Sequence, residues 1–389
     1  MKVSSVYNNI FTHFYTYIVM FKTKNKYAFF YALGIIFLIS FAILSLFGKH
    51  NISSWMLLLF FISLALGFRG NEKLKGLSFT VIIFGTVSLS MFHPDYFLQW
   101  GTYKLSNLIT PLIQLIMFGM GTSMSMQDFA AVIKTPKGVA IGVMSQFIIM
   151  PLVGYILAKL TGFPPEIAAG IILIGCSPSG LASNVMCYLA KANLALSLTV
   201  TSITTLIAPV VTPFLMKIFA GELVEINVLK MMWDISKMII IPIGAGLIFN
   251  KLLTGKSKWL DSAMPFVSMF GIAFILTIIV AAGRDSLLQI GLVLMVVVLI
   301  HNLCGYLLGY WSGRLFKLSE KDCRTIAIEV GMQNAGLASG IAKEMGKIAT
   351  MGLGAAVFGP FMNITGSILA SWWHNRTPKE EHQTGTAIN

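Results

Sequence analysis

Three polar residues stand close together in an otherwise apolar run, the string IEVGMQNAGLASGI at residues 328–341. They are Glu329, Gln333 and Asn334. A carboxylate at bilayer depth costs roughly 2.5–3.5 kcal/mol or more unless it is paired. Within ten residues of Glu329, its own span holds no Lys or Arg except Arg324, at the end of the span. A bound cation is therefore a candidate for the compensating charge.

The chain carries enough oxygen ligands to hold a hard cation. By extension from divalent ions, sodium should prefer about five or six oxygens from carboxylates, amides, hydroxyls and free backbone carbonyls. Besides Glu329, Gln333 and Asn334, the apolar segments carry Ser183, Asn184, Ser197, Thr201 and Gln146. Two alternatives stay open. Ser197 and Thr201, spaced i, i+4, could bond to carbonyls of their own helix, and Gln146 could make a helix-to-helix hydrogen bond.

Two other polar pairs have simpler interpretations. His301 and Asn302 lie in the apolar string LIHNLCGYLLG, where a lone buried histidine usually makes a packing hydrogen bond. Asp234 and Lys237, spaced i, i+3, are expected to pair locally near the membrane surface.

The composition indicates that these residues are positioned by membrane helices. Of the 389 residues, 56% are hydrophobic and 11% charged, whereas soluble domains average roughly 45–50% and 25%. The runs that could cross about 30 Å of hydrocarbon are 27–48, 53–68, 77–92, 105–121, 138–159, 167–190, 194–216, 231–250, 262–282, 286–312, 325–342 and 348–373.

The basic residues indicate how the spans are oriented. If residues 1–26 are cytoplasmic, 19 of the 28 Lys and Arg fall on the inner side. The positive-inside rule then predicts a multi-pass protein of the cell (inner) membrane with both termini cytoplasmic. The lipid bilayer is its expected surroundings, no nucleic-acid partner is expected, and we expect a monomer. Without an H-E-x-x-H motif or paired intramembrane aspartates, the sequence does not predict an enzyme.

Four short strings recur in the same order along the chain. MFG occurs at 117 and 269, GY at 154 and 305, GLAS at 180 and 336, and PF at 213 and 360. Each unit holds five spans, so the second copy enters the membrane from the opposite side, an arrangement typical of secondary transporters. The predicted domains are an N-terminal extension at 1–76 with two helices, repeats at 77–230 and 231–373, and a cytoplasmic tail at 374–389.

The longest recurring string falls in the fourth span of each unit. It lies within GCSPSGLASN at 175–184 and EVGMQNAGLASG at 329–340. Glycines and Pro178 predict that both helices are broken there, and paired broken helices mark transporter sites. Close packing of small residues is the alternative explanation.

These strings, with QFIIMP at 146–151 and HNLCGYLLG at 301–309, resemble the bile acid:sodium symporter family in its bacterial form. The resemblance covers about 77–373. It implies ten transmembrane helices in two inverted repeats, which form a panel domain and a core domain. The two broken helices of the core would cross beside two sodium sites.

The resemblance also implies which residues would bind sodium. The first site would use Ser183, Asn184, Ser197, Thr201 and Glu329. The second would use Gln146, Glu329, Gln333 and the backbone carbonyls of Val330 and Met332. Glu329 would thus serve both ions.

The substrate side departs from the family pattern. Leu181 stands where related sequences often carry Thr, Ser177 and Ser179 where Cys and Gly are common, and Met362 where His is frequent. Half-helices beginning near Leu181 and Ala335 would aim their positive ends at an anion. The expected substrate residues are Leu181, Asn334, Ala335, Met362 and Asn363.

The sequence therefore predicts a sodium-coupled symporter that imports an organic anion by alternating access. Two other functions remain open. One is a proton-coupled carrier in which Glu329 itself takes up and releases the proton, and the other is a membrane sensor that does not transport.

Overall fold

The computed structural model describes residues 27–71, 74–124, 136–252 and 258–376. Residues 1–26 and 377–389, expected to be cytoplasmic, lie outside this range. The described chain is helical. It begins with α1 Tyr27–Leu46, α2 His50–Phe68 and α3 Ser78–Phe92. After these come α4 Asp95–Leu98, α5 Ile109–Ser123, α6 Pro136–Thr161, α7 Pro165–Cys176, α8 Ala182–Leu189, α9 Leu194–Ala220, α10 Val228–Leu252, α11 Lys258–Ala282, α12 Arg284–Leu315, α13 Glu320–Gly331, α14 Ala335–Glu344 and α15 Gly352–His374.

Each of the twelve predicted spans coincides with a helix or a pair of half-helices. Among the described residues, nine continuous helices are long and apolar enough to cross a membrane. Two of the other spans are interrupted, as α7–α8 and as α13–α14. The expectation of an all-α polytopic membrane protein is confirmed. The strands of the described chain are limited to the pair Gln99–Trp100 and Tyr103–Lys104.

Local sequence signals begin several of these helices. Ser319 caps α13 by accepting a hydrogen bond from the Asp322 N–H, and the acidic first turn suits the positive end of the helix dipole. The Asn193 side chain caps α9 in the same way through the Leu196 N–H. At the start of α7, proline at the first helical position has no N–H to leave unsatisfied.

The helices form two compact units that divide between His93 and Pro94. In the first unit α2 packs against α3, and His93 Nε2 lies 2.7 Å from Ser54 Oγ. The division falls one helix later than the boundary expected between residues 76 and 77. The assignment of α3 to the first repeat, and the inverted repeat itself, remain predictions.

Within the second unit, the helices pack as two groups. In one group α5 packs against α10 and α11. In the other, α12 packs against α6, α13 and α15, and α9 packs against α6, α7 and α8. The helix α9 also packs against α10 and so joins the two groups. The half-helix α14 packs both on α15 and on α5, α10 and α11. Large apolar side chains on the outer faces, such as Leu160 and Leu292, are more than 70% exposed, as expected for lipid-facing positions.

Candidate functional site

The fourth and ninth predicted family helices are both interrupted. The first interruption separates α7 from α8 at residues 177–181, and the second separates α13 from α14 at residues 332–334. Ser177 has extended backbone angles, because the following proline disfavours helical geometry at the residue before it. Met332 is extended as well. The predicted breaks are therefore present in both helices.

The two interruptions cross each other and are joined by backbone hydrogen bonds. Ser179 and Gln333 form an antiparallel bridge, in which the Gly180 N–H donates to the Met332 carbonyl and the Asn334 N–H to the Pro178 carbonyl, both at 2.9 Å. A Cβ on Gly180 would lie 2.6 Å from the Gln333 carbonyl oxygen. Each break thus satisfies backbone groups that the other leaves free, as a low-dielectric interior requires.

Glu329 lies in the last turn of α13, immediately before the break, and is fully buried. Its Oε1 accepts hydrogen bonds from Ser183 Oγ at 2.6 Å and Ser197 Oγ at 2.5 Å. Its Oε2 accepts one from Thr201 Oγ1 at 2.8 Å. Ser197 and Thr201 therefore donate to the carboxylate, and side chains of two other helices, α8 and α9, converge on Glu329 of α13.

Asn184 completes a cluster of six oxygens. Its Oδ1 lies 2.8 Å from Ser197 Oγ and 3.3 Å from Thr201 Oγ1, and Ser183 Oγ lies 3.3 Å from Thr201 Oγ1. Six oxygen–oxygen contacts thus share the three protons of the hydroxyl groups. If the hydroxyls all donate to the ionised carboxylate, three contacts bring lone pairs together without a proton. A cation among these oxygens would relieve that repulsion.

No basic side chain neutralises Glu329 in the described part of the chain. Arg324, one turn earlier, pairs with Glu320 through Nε at 2.9 Å and donates to the carbonyls of Trp373 and Arg376. Its guanidinium is thus held at the end of the helix. The charge of Glu329 is left for a mobile cation or for a proton.

The residues expected at the second sodium site are only partly brought together. Gln146 Nε2 donates to Gln333 Oε1 at 2.7 Å and to the Ser177 carbonyl at 2.9 Å. Gln333 Nε2 donates to the Val330 carbonyl at 2.6 Å. Gln146, Gln333 and Val330 thus meet, and the hydrogen bond considered for Gln146 joins it to both breaks.

Two members of the expected second site face elsewhere. The Met332 carbonyl accepts from the Gly180 N–H. Among the described residues, the hydrogen bonds of the Glu329 carboxylate go to the hydroxyls of the first cluster rather than to either glutamine. A second ion would have to bind through the remaining lone pairs of these oxygens or displace their present partners.

The expected substrate residues differ in exposure. Leu181 and Asn363 are partly exposed, whereas Ala335 and Met362 are buried, with only 3% and 7% of their surface exposed. The Asn334 side chain caps α14 by accepting from the Leu337 N–H at 3.0 Å. One of the free N–H groups at the N-terminus of α14 is therefore already paired with the asparagine side chain that precedes the helix.

Simpler expectations are also confirmed. His301 Nε2 lies 2.9 Å from the Met150 carbonyl, a packing hydrogen bond. Lys237 pairs with Asp234 at 2.9 Å. Ser179, which the sequence marked only as a departure on the substrate side, lies at the site, where its hydroxyl donates to the Glu329 carbonyl at 2.6 Å. A serine between proline and glycine at a predicted helix break was the available signal.

Comparison with known proteins identifies the family to which the chain belongs. A family model described as the Sodium Bile acid symporter family matches residues 110–290. The uncharacterized sodium-dependent transporter YocS of Bacillus subtilis (strain 168) is 40% identical over 301 residues, which cover 77% of this chain and 91% of that protein. The chain belongs to the sodium bile acid symporter family.

More distant relatives within the family are plant proteins. The probable sodium/metabolite cotransporter BASS1 of the Oryza sativa subsp. japonica chloroplast is 30% identical over 317 residues, covering 80% of this chain and 76% of that protein. The Arabidopsis thaliana BASS1 protein is also 30% identical, over 268 residues that cover 69% and 67%. The relatives are transporters and not enzymes. As a member of the family, this chain is a sodium-dependent multi-pass transporter.

Proposed function

We propose that this family member is a symporter that imports an organic anion together with sodium, by alternating access across a cell membrane, with both termini cytoplasmic. The observation that carries the proposal is the six-oxygen cluster around Glu329, in which six oxygen–oxygen contacts share only three hydroxyl protons. It supports a sodium ion held by Glu329, Ser183, Asn184, Ser197 and Thr201. A second ion would be held at the break by Gln146, Gln333, Glu329 and the Val330 and Met332 carbonyls.

The charge balance indicates the kind of substrate. Two sodium ions beside one carboxylate leave a net charge of +1 in a low-dielectric region, where an unbalanced charge is costly. An anionic cargo would offset it. We expect the cargo to meet the protein beside Leu181, Asn334, Ala335, Met362 and Asn363, near the half-helix N-termini.

The packing of the two half-helices supports alternating access. The half-helix α14 is covered by α5, α10 and α11, whereas α8 packs mainly on α9, α13 and α15. On α8, Val185 and Tyr188 are 57% and 70% exposed. In the proposed orientation, α14 lies on the outer side and α8 on the inner side. The structure would then represent a state that is closed outside and open inside.

The shortage of protons in the oxygen cluster also fits a second coupling ion, the proton. A proton on Glu329 would also supply a hydrogen that the oxygen cluster lacks. The two possibilities separate at fixed pH, because a proton-coupled carrier does not need sodium.

The test is thermal unfolding of the purified full-length chain across a library of organic anions, in sodium chloride and in choline chloride. We expect sodium to raise the melting temperature and to be required for stabilisation by an anion. Any anion identified in this way is then followed into proteoliposomes with and without a sodium gradient. Anion stabilisation that is equal in both salts, with uptake driven by a pH gradient alone, would overturn sodium coupling.

A further inference from the structure

The break between α13 and α14 leaves the four successive carbonyls of residues 329–332 without their helical partners. In a continuous helix they would accept from the N–H groups of residues 333–336, and at the break those of Asn334 and Ala335 donate elsewhere. Three of these carbonyls have partners from the break region. The Glu329 carbonyl accepts from Ser179 Oγ, that of Val330 from Gln333 Nε2, and that of Met332 from the Gly180 N–H. The fourth carbonyl, that of Gly331, has a partner on a different helix.

That partner is Asn302, in the middle of α12. Its Nδ2 donates to the Gly331 carbonyl at 2.8 Å, and the side chain is fully buried. In a continuous helix the Gly331 carbonyl would accept from the Ala335 N–H, but that group donates to the Gln333 carbonyl. Asn302 therefore satisfies a buried carbonyl that would otherwise be costly to leave unpaired.

The other end of the Asn302 amide is fixed by α15. Thr365 Oγ1 donates to Asn302 Oδ1 at 2.6 Å, and Tyr306 Oη donates to the Met362 carbonyl at 3.1 Å. The Tyr306 ring lies against Gly331, where an added Cβ would fall 2.1 Å from a ring carbon. Asn302 is thus bonded both to the break and to the helix that carries Met362 and Asn363.

We propose that Asn302 is a positioning residue for sodium binding, and that Thr365 links it to the substrate side. By holding the Gly331 carbonyl toward α12, Asn302 fixes the peptide groups on either side, which carry the Val330 and Met332 carbonyls. A shift of the break would pull on Asn302 and, through Thr365, on α15 beside Met362. The inference rests on the proposed function, because it assigns Asn302 to the same ion site.

The experiment measures the sodium concentration that gives half of the maximal stabilisation of the full-length protein, at constant ionic strength with choline chloride. Asn302→Ala should raise this midpoint roughly five- to tenfold, as expected for the loss of a buried hydrogen bond. Thr365→Val should raise it roughly two- to threefold, since the amide keeps its bond to Gly331. Thr365→Ser keeps the hydroxyl and should restore the original midpoint.

Ser312→Ala is the matched control, since it removes a hydrogen bond between α12 and α6, that of Ser145 Oγ to Ser312 Oγ at 2.9 Å. It should lower the melting temperature in choline without moving the sodium midpoint. If Asn302→Ala behaves like this control, the inference is wrong. If Asn302→Ala does not fold, equal midpoints for Thr365→Val and Thr365→Ser overturn it. Absence of any sodium response in the unmodified chain would overturn the proposed function, and this inference with it.

Discussion

The two interrupted helices of this protein both carry the string GLAS, and yet they contribute different chemistry. The break before α8 supplies hydroxyl and amide oxygens, from Ser183 and Asn184. The break after α13 supplies the charge, from Glu329. Neither break could satisfy its polar groups alone, since the Glu329 carboxylate takes its hydrogen bonds from α8 and α9. The two interrupted helices thus form one site only where their breaks cross.

The largest effect is expected when the charge of Glu329, on which this comparison rests, is removed. Glu329→Ala should raise the sodium concentration needed for half-maximal stabilisation by roughly 100-fold or more, because the carboxylate that compensates a buried cation is lost. Glu329→Gln, which keeps the shape without the charge, should show nearly the same loss. The measurement is the melting temperature against sodium concentration. Sodium binding that survives in both variants would contradict the assignment of Glu329.

The second prediction tests the crossing through the first residue of each GLAS string. Gly180→Ala would place a Cβ 2.6 Å from the Gln333 carbonyl oxygen. Because a backbone atom cannot move aside easily, we expect a destabilisation of about 1–3 kcal/mol together with weakened sodium binding.

Gly336→Ala is the matched control, since its Cβ would lie 3.5 Å from Asn334 Oδ1, an ordinary contact. We expect this variant to unfold at or above the original melting temperature, since alanine is favoured over glycine within a helix. Equal effects of the two substitutions would show that the crossing does not decide the difference.

The third prediction separates the ion side from the substrate side of the first break. Ser197→Ala removes a hydroxyl that lies 2.5 Å from Glu329 Oε1 and should weaken sodium binding roughly tenfold. It should leave the order of anion preference unchanged. Leu181→Thr should do the reverse, because Leu181 contributes no oxygen to the cluster. Competition profiles of both variants against one anion panel decide between these roles, and a serine variant that reorders the anions would contradict the placement.

The smallest effect concerns the caps of the two half-helices. Asn334 caps α14 through the Leu337 N–H, whereas Leu181 offers α8 no side-chain cap. Asn334→Ala should cost about 1 kcal/mol of stability, and Asn334→Ser should recover most of it. Thermal unfolding in choline chloride without an anion measures the stability contributed by the cap alone. A loss of anion binding in Asn334→Ser at unchanged stability would instead indicate that the amide contacts the substrate.

The sequence by itself determined the membrane helices and the residue types of the site. Apolar length predicts the twelve spans because hydrocarbon thickness sets how long a crossing helix must be, and the spans coincide with the helices. Pro178 and the glycines predicted the breaks. An isolated carboxylate among hydroxyl and amide residues indicated a cation at Glu329, because a buried charge needs a partner whatever the fold.

Only the tertiary structure decided which oxygens meet. Residues on α8 and α9 are brought within 2.8 Å of the Glu329 carboxylate on α13 where the breaks cross, and no local pattern encodes that crossing. The tertiary structure also decides that the Met332 carbonyl accepts a hydrogen bond from the Gly180 N–H and the Gly331 carbonyl accepts one from Asn302. Backbone carbonyls are the same at every position of the sequence. Their partners depend on the packing of distant helices, and this is why Asn302 could not be assigned a role before the fold was known.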